Sequence, residues 1–253
     1  EMDLKELIIK DKMPRHIAVI MDGNGRWAQS RGNARIFGHQ NAVESVRQVV
    51  EAAGELGVEY LTLYAFSTEN WNRPRAEVDA LMSLMVRSIQ NETENLHKNN
   101  VRLSTIGEVN DLPLNVRKQL ESAIAYTSGN TGLNLIIALS YSGRWEITSA
   151  VRKIVDDVKN GKLDPDLIDN CLFETYLNTA TIPDPELLIR TSGERRISNF
   201  MLWQSAYTEL YFSPVFWPDF RKKDLYEAII DYQRRERRFG RVSDKVSPIT
   251  VNN

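Results

Sequence analysis

The chain has 253 residues and a single cysteine, Cys171, so an intrachain disulfide is excluded and a reducing compartment fits. It has no surplus of either charge. With 32 basic and 34 acidic residues the net charge is −2, which excludes a global basic field that would gather nucleic acid or an anionic membrane. No nucleic-acid partner is expected, and any anion must be handled locally. No apolar run approaches the ~20 residues of a membrane-spanning helix. Charges interrupt the apolar positions of residues 2–14, so no signal peptide is expected and a cytoplasmic location is the default. The phosphate-binding pattern G-x-x-x-x-G-K-[ST] does not occur. Internal repeats, low-complexity tracts and Pro/Gly-rich linkers are missing too, so residues 1–253 read as one domain.

What is there suits a buried core: 42% of residues are hydrophobic and 26% charged. Short apolar, β-branched runs alternate with longer helical ones. Strands are expected at 16–21, 58–66, 101–107, 133–140, 185–191 and 208–212. Helices are expected at 38–57, 76–98, 114–130, 144–161, 168–178 and 222–240, several ending at glycine. This alternation predicts an α/β fold, a central mainly parallel sheet flanked by helices. Ligands of such sheets bind beyond the carboxyl ends of the strands, so the polar stretches after 21, 66, 140, 191 and 212 are where chemistry should lie.

The first of these stretches, "MDGNGRWAQSRG", ends a buried strand with an acid, then glycines around an asparagine, then arginines. Gly23-Asn24-Gly25-Arg26-Trp27-Ala28 matches the dinucleotide pattern G-x-G-x-x-A. The second strand, however, ends in Ala65-Phe66, where a ribose-binding acid would be needed. The plainer alternative is a tight turn in which Asp22 caps a helix. Arg26, Arg31, Arg35 and His39 follow so closely that an anion site is favoured. If a helix begins nearby, its free N–H groups attract an anion, glycine lets the backbone come close, and Asp22 stands where a Mg²⁺ bridging carboxylate and phosphate would sit.

The second stretch, "STENWNRP", offers Ser67, Glu69, Asn70, Trp71 and Arg73; alone it reads as an exposed turn over a packed tryptophan. In the stretch 189–200, Arg190, Arg195 and Arg196 stand among hydroxyls such as Ser198, where guanidinium forks can grip a diphosphate. Glu209 opens the last strand, either as an edge-strand surface acid or as a second carboxylate for a metal. Leu81, Leu84, Met85 and Ile89 form one helical stripe, the pattern of an ordinary core and equally of a hydrocarbon channel.

Taken together, "HIAVIMDGNGRWA", Arg35 with Gly38-His39, "YAFSTENWNRP", "GRWEI" and "DPELLIRTSGERRISNFMLWQSAYTELYF…WPDF" run in order from 16 to 220. In that combination the chain closely resembles the cis-prenyltransferase family, in particular bacterial undecaprenyl diphosphate synthases. The resemblance implies repeated condensation of isopentenyl diphosphate onto farnesyl diphosphate to give a long polyprenyl (undecaprenyl) diphosphate, the lipid-carrier precursor of cell-wall synthesis. It also implies Mg²⁺, a homodimer, a hydrophobic tunnel between sheet and helices, and peripheral contact with a membrane surface for product release. It implies a fold unlike the all-helical trans-synthases; accordingly, Asp156-Asp157 lacks the third acid of D-D-x-x-D. The catalytic core would span about 14–220, followed by a C-terminal helix and tail.

Carried over by position, Asp22 resembles the metal-binding and catalytic acid, with Asn24 and Asn70 as further catalytic residues. Gly23, Asn24, Gly25, Arg26, Trp27, Arg31, Arg35 and His39 resemble the allylic diphosphate pocket. Ser67, Glu69, Asn70, Trp71 and Arg73 resemble the loop that closes near the reacting carbons, with Glu77 at its hinge side. Arg190, Arg196 and Ser198 resemble the isopentenyl diphosphate clamp. Glu209 matches a second metal acid that family structures place across the dimer interface, and the "RFG" at 238–240 resembles the family's Arg-x-Gly ending. Val43, Ala65, Leu84, Met85, Leu133 and Ile137 are expected on the tunnel wall. Each isoprene unit adds five carbons, and ~0.8 kcal/mol per buried methylene-sized group would retain the growing chain. The proton lost in each cycle has three candidate acceptors: Asp22, a water held by Asn24, or the released diphosphate oxygen. Departures are Ser192 where glycine is common, Ser140 and Ser142 in place of the Asn and Gly of "NYGGR", and Arg195 for glutamine or histidine.

Overall fold

All six expected strands join one sheet, and every pairing in it is parallel. In the computed structural model, which describes residues 3–236, the strands are β1 (His16–Ile20), β2 (Tyr60–Ser67), β3 (Arg102–Ile106), β4 (Asn134–Tyr141), β5 (Leu187–Arg190) and β6 (Glu209–Phe212). Their spatial order is β3-β4-β2-β1-β5-β6. The helices are α1 (Asn24–Ser30), α2 (Arg35–Glu55), α3 (Arg75–Lys98), α4 (Leu114–Thr127), α5 (Gly143–Lys159), α6 (Asn170–Thr175) and α7 (Lys222–Arg234).

β1 is buried at every position, as an apolar run covered on both faces must be. Ile17 and Val19 face α2 and α7, joined by Leu61, Leu63, Val49 and Leu225. Ala18 and Ile20 face the other way, with Ile136, Leu188, Phe200 and Trp145. Each such side chain contributes about 1.5–3 kcal/mol by leaving water. His16 opens the strand buried and neutral, its ring nitrogens 2.7 Å from Thr62 Oγ1 and 2.5 Å from the Pro183 carbonyl. Loss of solvent pushes its pKa down to about 4.

A third apolar cluster lies under α3 and α4, built from Phe66, Val78, Met82, Val116, Leu120 and Leu139. α3 packs chiefly on α4 and only sparsely on α2. The sheet therefore has an uncovered trough between α2 and α3.

Three local features differ from the ranges expected from sequence. α1 is the nearby helix that the anion reading left conditional and that no expected range contained, and α2 starts earlier than the expected residue 38. In addition, the β2–β4 register slips twice. Tyr64 faces Ala138, but Phe66 faces Leu139 and Ser67 faces Tyr141. Ala65 is thus an extra residue on β2 and Ser140 an extra residue on β4, two bulges that restore the original offset. The "RFG" of 238–240 lies outside the described residues.

Candidate active site

β1 delivers Asp22 to the carboxyl rim of the sheet, and β5, its neighbour, delivers Arg190 to the same place. Arg190 Nη2 donates to Asp22 Oδ2 at 2.9 Å, and Arg26 Nη2 approaches the same oxygen at 3.3 Å. The Gly23 N–H donates to Oδ1 at 2.6 Å. Thr191 locks the backbone: its hydroxyl accepts from the Asp22 N–H (2.9 Å) and donates to the Asp22 carbonyl (2.7 Å). Partial burial would raise the Asp22 pKa, but the Arg190 hydrogen bond and charge, the Gly23 N–H and Arg26 outweigh it and hold the carboxyl below its ordinary value. Arg190 is itself only 5% exposed, and its Nη1 donates to Ser198 Oγ and the Arg196 carbonyl, each at 2.6 Å.

Gly23 turns the chain with φ +100°, and a Cβ there would meet Phe216 at 2.5 Å and Ser192 at 2.8 Å. No other residue fits that backbone or that space. The turn starts α1 at Asn24, so first-turn N–H groups point outward at the rim. Gly38 fixes the placement of α1 against α2, because a Cβ there would lie 1.9 Å from the Asn24 carbonyl oxygen. A small rim pocket of about 320 Å³ is lined by Asp22, Gly23, Gly25, Arg26, Arg35, Glu194 and Arg196. Glu194 ties Arg26 (2.8 Å) to Arg196 across it. Ser192, with φ +73°, accepts from Arg26 Nη2 at 2.6 Å, so this departure gives the arginine a hydroxyl partner.

A cavity of about 1020 Å³ opens at Asp22, Asn24, Arg190 and Ser198 and runs down the trough between α2 and α3. Its walls are apolar near the sheet: Val43, Val46 and Val50 from α2, Leu81, Leu84, Met85 and Ile89 from α3, Leu135 and Ile137 from β4. The β2 bulge places Ala65 and Phe66 both on the wall. His39 also lines it; loss of solvent, then the charge of Arg73, lowers its pKa to about 4 against the pull of Glu77. Glu77 joins Arg73 (3.1 Å) to Arg35 (3.6 Å) at the mouth.

The comparisons with known proteins agree with one another. A family model described as "Putative undecaprenyl diphosphate synthase" matches residues 20–240. The chain belongs to this prenyltransferase family. It is 56% identical over 92% of its length to an isoprenyl transferase of Chlorobaculum tepidum, of which 88% is covered. It is 51% identical over 91% of its length to the ditrans,polycis-undecaprenyl-diphosphate synthase ((2E,6E)-farnesyl-diphosphate specific) of Pasteurella multocida, of which 96% is covered. Among solved structures, lavandulyl diphosphate synthase from Lavandula x intermedia, in complex with dimethylallyl diphosphate, superposes with a TM-score of 0.88 at 39% identity, over 91% of this chain and 99% of that one.

The structure of this prenyltransferase brings most of the expected residues to one rim. Asp22, Asn24, His39, Ser67, Glu69, Asn70, Arg73, Arg190 and Ser198 line the cavity mouth, and Gly23, Gly25, Arg26, Arg35 and Arg196 line the adjoining pocket. Five residues are elsewhere. Trp27 is buried against Phe37, and Arg31 stacks on Trp27 at 4.0 Å while pairing with Asp219 (3.3 Å); neither lines the anion pocket. Trp71 lines neither space; its ring packs edge-on against Phe66 with centroids 4.9 Å apart. Leu133 is buried in the core just before β4 starts, and Leu135 takes its place on the wall. Glu209 sits at the opposite end of the sheet, facing Leu187 in register and paired with Arg235 at 3.0 Å. Three participants were not singled out from sequence: Thr191, Glu194 as a bridge, and Asn199, whose amide donates to Glu69 at 2.7 Å.

Proposed function

We propose that this prenyltransferase condenses isopentenyl diphosphate repeatedly onto farnesyl diphosphate and holds the lengthening polyprenyl tail in the cavity between α2 and α3. The observation that carries this reading is the direct junction of an acid–arginine rim with an apolar cavity of about 1020 Å³. A diphosphate with a hydrocarbon tail matches both halves at once.

The rim fits a hard divalent cation. Asp22 supplies carboxylate oxygens, and Asn24 Oδ1 is buried with no hydrogen-bond partner. Among the described residues no group of three His, Cys, Asp or Glu could hold a metal. Mg²⁺ commonly takes one or two carboxylates and completes its shell with water and substrate phosphates, and Asp22 suits that role. When bound, it would neutralise charge building on the departing diphosphate.

The chain's own residues supply the remaining stabilisation. The first-turn N–H groups of α1, with Arg26 and Arg35, hold the allylic diphosphate. Arg190, Arg196 and Ser198 hold the isopentenyl diphosphate, the unpaired Nε of Arg190 being a free donor for it. Such preorganised donors contribute about 3 kcal/mol each when aimed at a developing oxyanion. The isopentenyl double bond then attacks the allylic carbon from which diphosphate has left. Asp22, held ionised with a low pKa, is a weak base. That favours the released diphosphate oxygen as proton acceptor. Neutral His39 can donate one N–H at the mouth without competing for the proton.

Glu209 cannot reach Asp22 within one chain, so its role as a metal acid requires a homodimer in which the partner supplies it. A long polyprenyl tail is insoluble in water, so peripheral contact with a membrane surface is proposed for product release.

Incubation with radiolabelled isopentenyl diphosphate, farnesyl diphosphate and Mg²⁺, followed by chromatography of the lipid extract, tests the proposal. Labelled long-chain polyprenyl diphosphate is the expected product. No labelled lipid from the wild type removes the reading, and full activity in Asp22→Ala removes the mechanism.

A further inference from the structure

The segment 67–72, between β2 and α3, forms a single turn of 3-10 helix over residues 68–72. On one side it carries Ser67, Glu69 and Asn70 into the cavity mouth. On its other side it is fastened by two of the serines that depart from the common pattern. Ser140 is completely buried at the β4 bulge, with φ +48°. That is left-handed backbone, which glycine or asparagine adopts more readily than serine. Its hydroxyl accepts from Trp71 Nε1 at 2.9 Å and donates to Asp111 Oδ2 at 3.1 Å. One oxygen thereby links the segment after β2, the end of β4 and the turn after β3. Two residues on, Thr68 Oγ1 donates to Ser142 Oγ at 2.8 Å. Glycine at 142 would lack the hydroxyl that meets Thr68, and asparagine at 140 would replace the other hydroxyl by an amide. The same contacts explain why Trp71 is withdrawn from the cavity.

We infer that Ser140 and Ser142 form a latch that fastens the 67–72 segment to the sheet and so sets the position of Asn70 and Glu69 over the reacting carbons. They are positioning residues, acting through Trp71 and Thr68. Their effect on turnover rests on the condensation proposed above. The groups proposed to grip the diphosphates, α1, Arg190 and Arg196, make no hydrogen bond to Ser140 or Ser142, and the segment meets the clamp loop only where Asn199 donates to Glu69, so latch strength should enter kcat more than substrate affinity.

Two variants and two readouts test this. Ser140→Gly removes the hydroxyl while relaxing the left-handed backbone, and Ser142→Ala removes only the Thr68 contact. In the wild type, one of the five tryptophan indole N–H signals, assigned to Trp71 by its loss in Trp71→Phe, should exchange slowly with solvent deuterium. In Ser140→Gly that signal should exchange about tenfold faster or more, with kcat down about five- to tenfold and KM for isopentenyl diphosphate within about twofold. Ser142→Ala should lower kcat about two- to threefold. Because glycine relieves backbone strain, the thermal midpoint of Ser140→Gly should fall little; a purely structural serine would lose stability and activity together. Unchanged indole exchange in Ser140→Gly overturns the latch. Freed indole with unchanged kcat overturns its role in turnover. If the wild type makes no polyprenyl lipid, the condensation reading falls, while the exchange measurement still decides whether the latch exists.

Discussion

The cavity has two charged ends, and they differ in what their charges have left to do. At the mouth, Asp22, Asn24 and Arg190 stand at or just after strand ends, and the Asn24 Oδ1 and Arg190 Nε atoms are buried without partners. At the far end, Arg47, Glu51, Glu55 and Glu92 lie on α2 and α3, and their charges are matched by neighbours. Arg47 pairs with Glu92 at 2.6 Å and with Glu44 at 2.7 Å. Lys222 pairs with Glu51 (3.2 Å) and Glu55 (3.0 Å), and Lys5 with Glu55 (2.6 Å). Both ends are polar, but only the mouth offers unspent hydrogen-bonding capacity on a rigid frame. Charge density alone does not mark a site; bonding capacity left open in a buried place does.

The contrast can be broken most severely at Asp22. Asp22→Ala should lower product formation at least ~1000-fold, since it removes the proposed metal acid and leaves Arg190 without its carboxylate partner. Retention of more than a tenth of wild-type activity would contradict the assignment. Arg190→Ala should cost about 100–1000-fold in kcat/KM for isopentenyl diphosphate. Steady-state kinetics in each substrate would show whether the loss is confined to that diphosphate, as the clamp requires.

Between the two ends, Ala65→Leu should narrow the channel and shift products to shorter chains, read by chromatography. An unchanged length distribution would move the growing tail away from the β2 bulge. The histidines add a pH test. His39 and His16 have folded pKa values of about 4 against an ordinary 6.5. Unfolded chain therefore binds protons that the folded chain refuses between pH 6.5 and 4, so stability falls as pH drops through that window. Each histidine can account for up to ~3 kcal/mol by urea unfolding, and His39→Asn should flatten the slope. The smallest effect belongs to the far end: Arg47→Ala should change stability by ~1 kcal/mol or less and the first condensation by less than twofold. A tenfold loss there would erase the distinction between the ends.

Much of this was legible in the sequence because strand ends are legible. "HIAVIM" followed by Asp22, and "LLIR" followed by Thr191, mark a strand and its exit by composition alone, and parallel order then brings the exits together. α1 was hidden because residues 24–30 carry no helical apolar stripe, and its start depends on the left-handed Gly23. By position in the family's motif, Trp27 and Arg31 count as pocket residues. At the end of α1 their i, i+4 spacing stacks Arg31 on Trp27 at 4.0 Å, and neither lines the anion pocket. For Trp71 the local reading of a turn over a packed tryptophan holds, while the resemblance carried it to the reacting carbons; its partner Ser140, 69 positions along the chain, has no local signal. Glu209 reads as a metal ligand by position in its motif, while the sheet puts it at the wrong end of its own chain.

The paired slips of β2 and β4 have a consequence for how this fold can vary. Because an inserted residue on one strand is cancelled by an inserted residue on its neighbour, channel width and the seat of Trp71 are set by the same compensated defect. Losing Ala65 alone would turn Phe66 toward the opposite face, shift Ser67 by one place and strand Ser140 without its indole. A single deletion there should disrupt the β2–β4 pairing, whereas deleting both inserted residues should keep the pairing in register but, because Ser140 goes with it, still free the Trp71 indole.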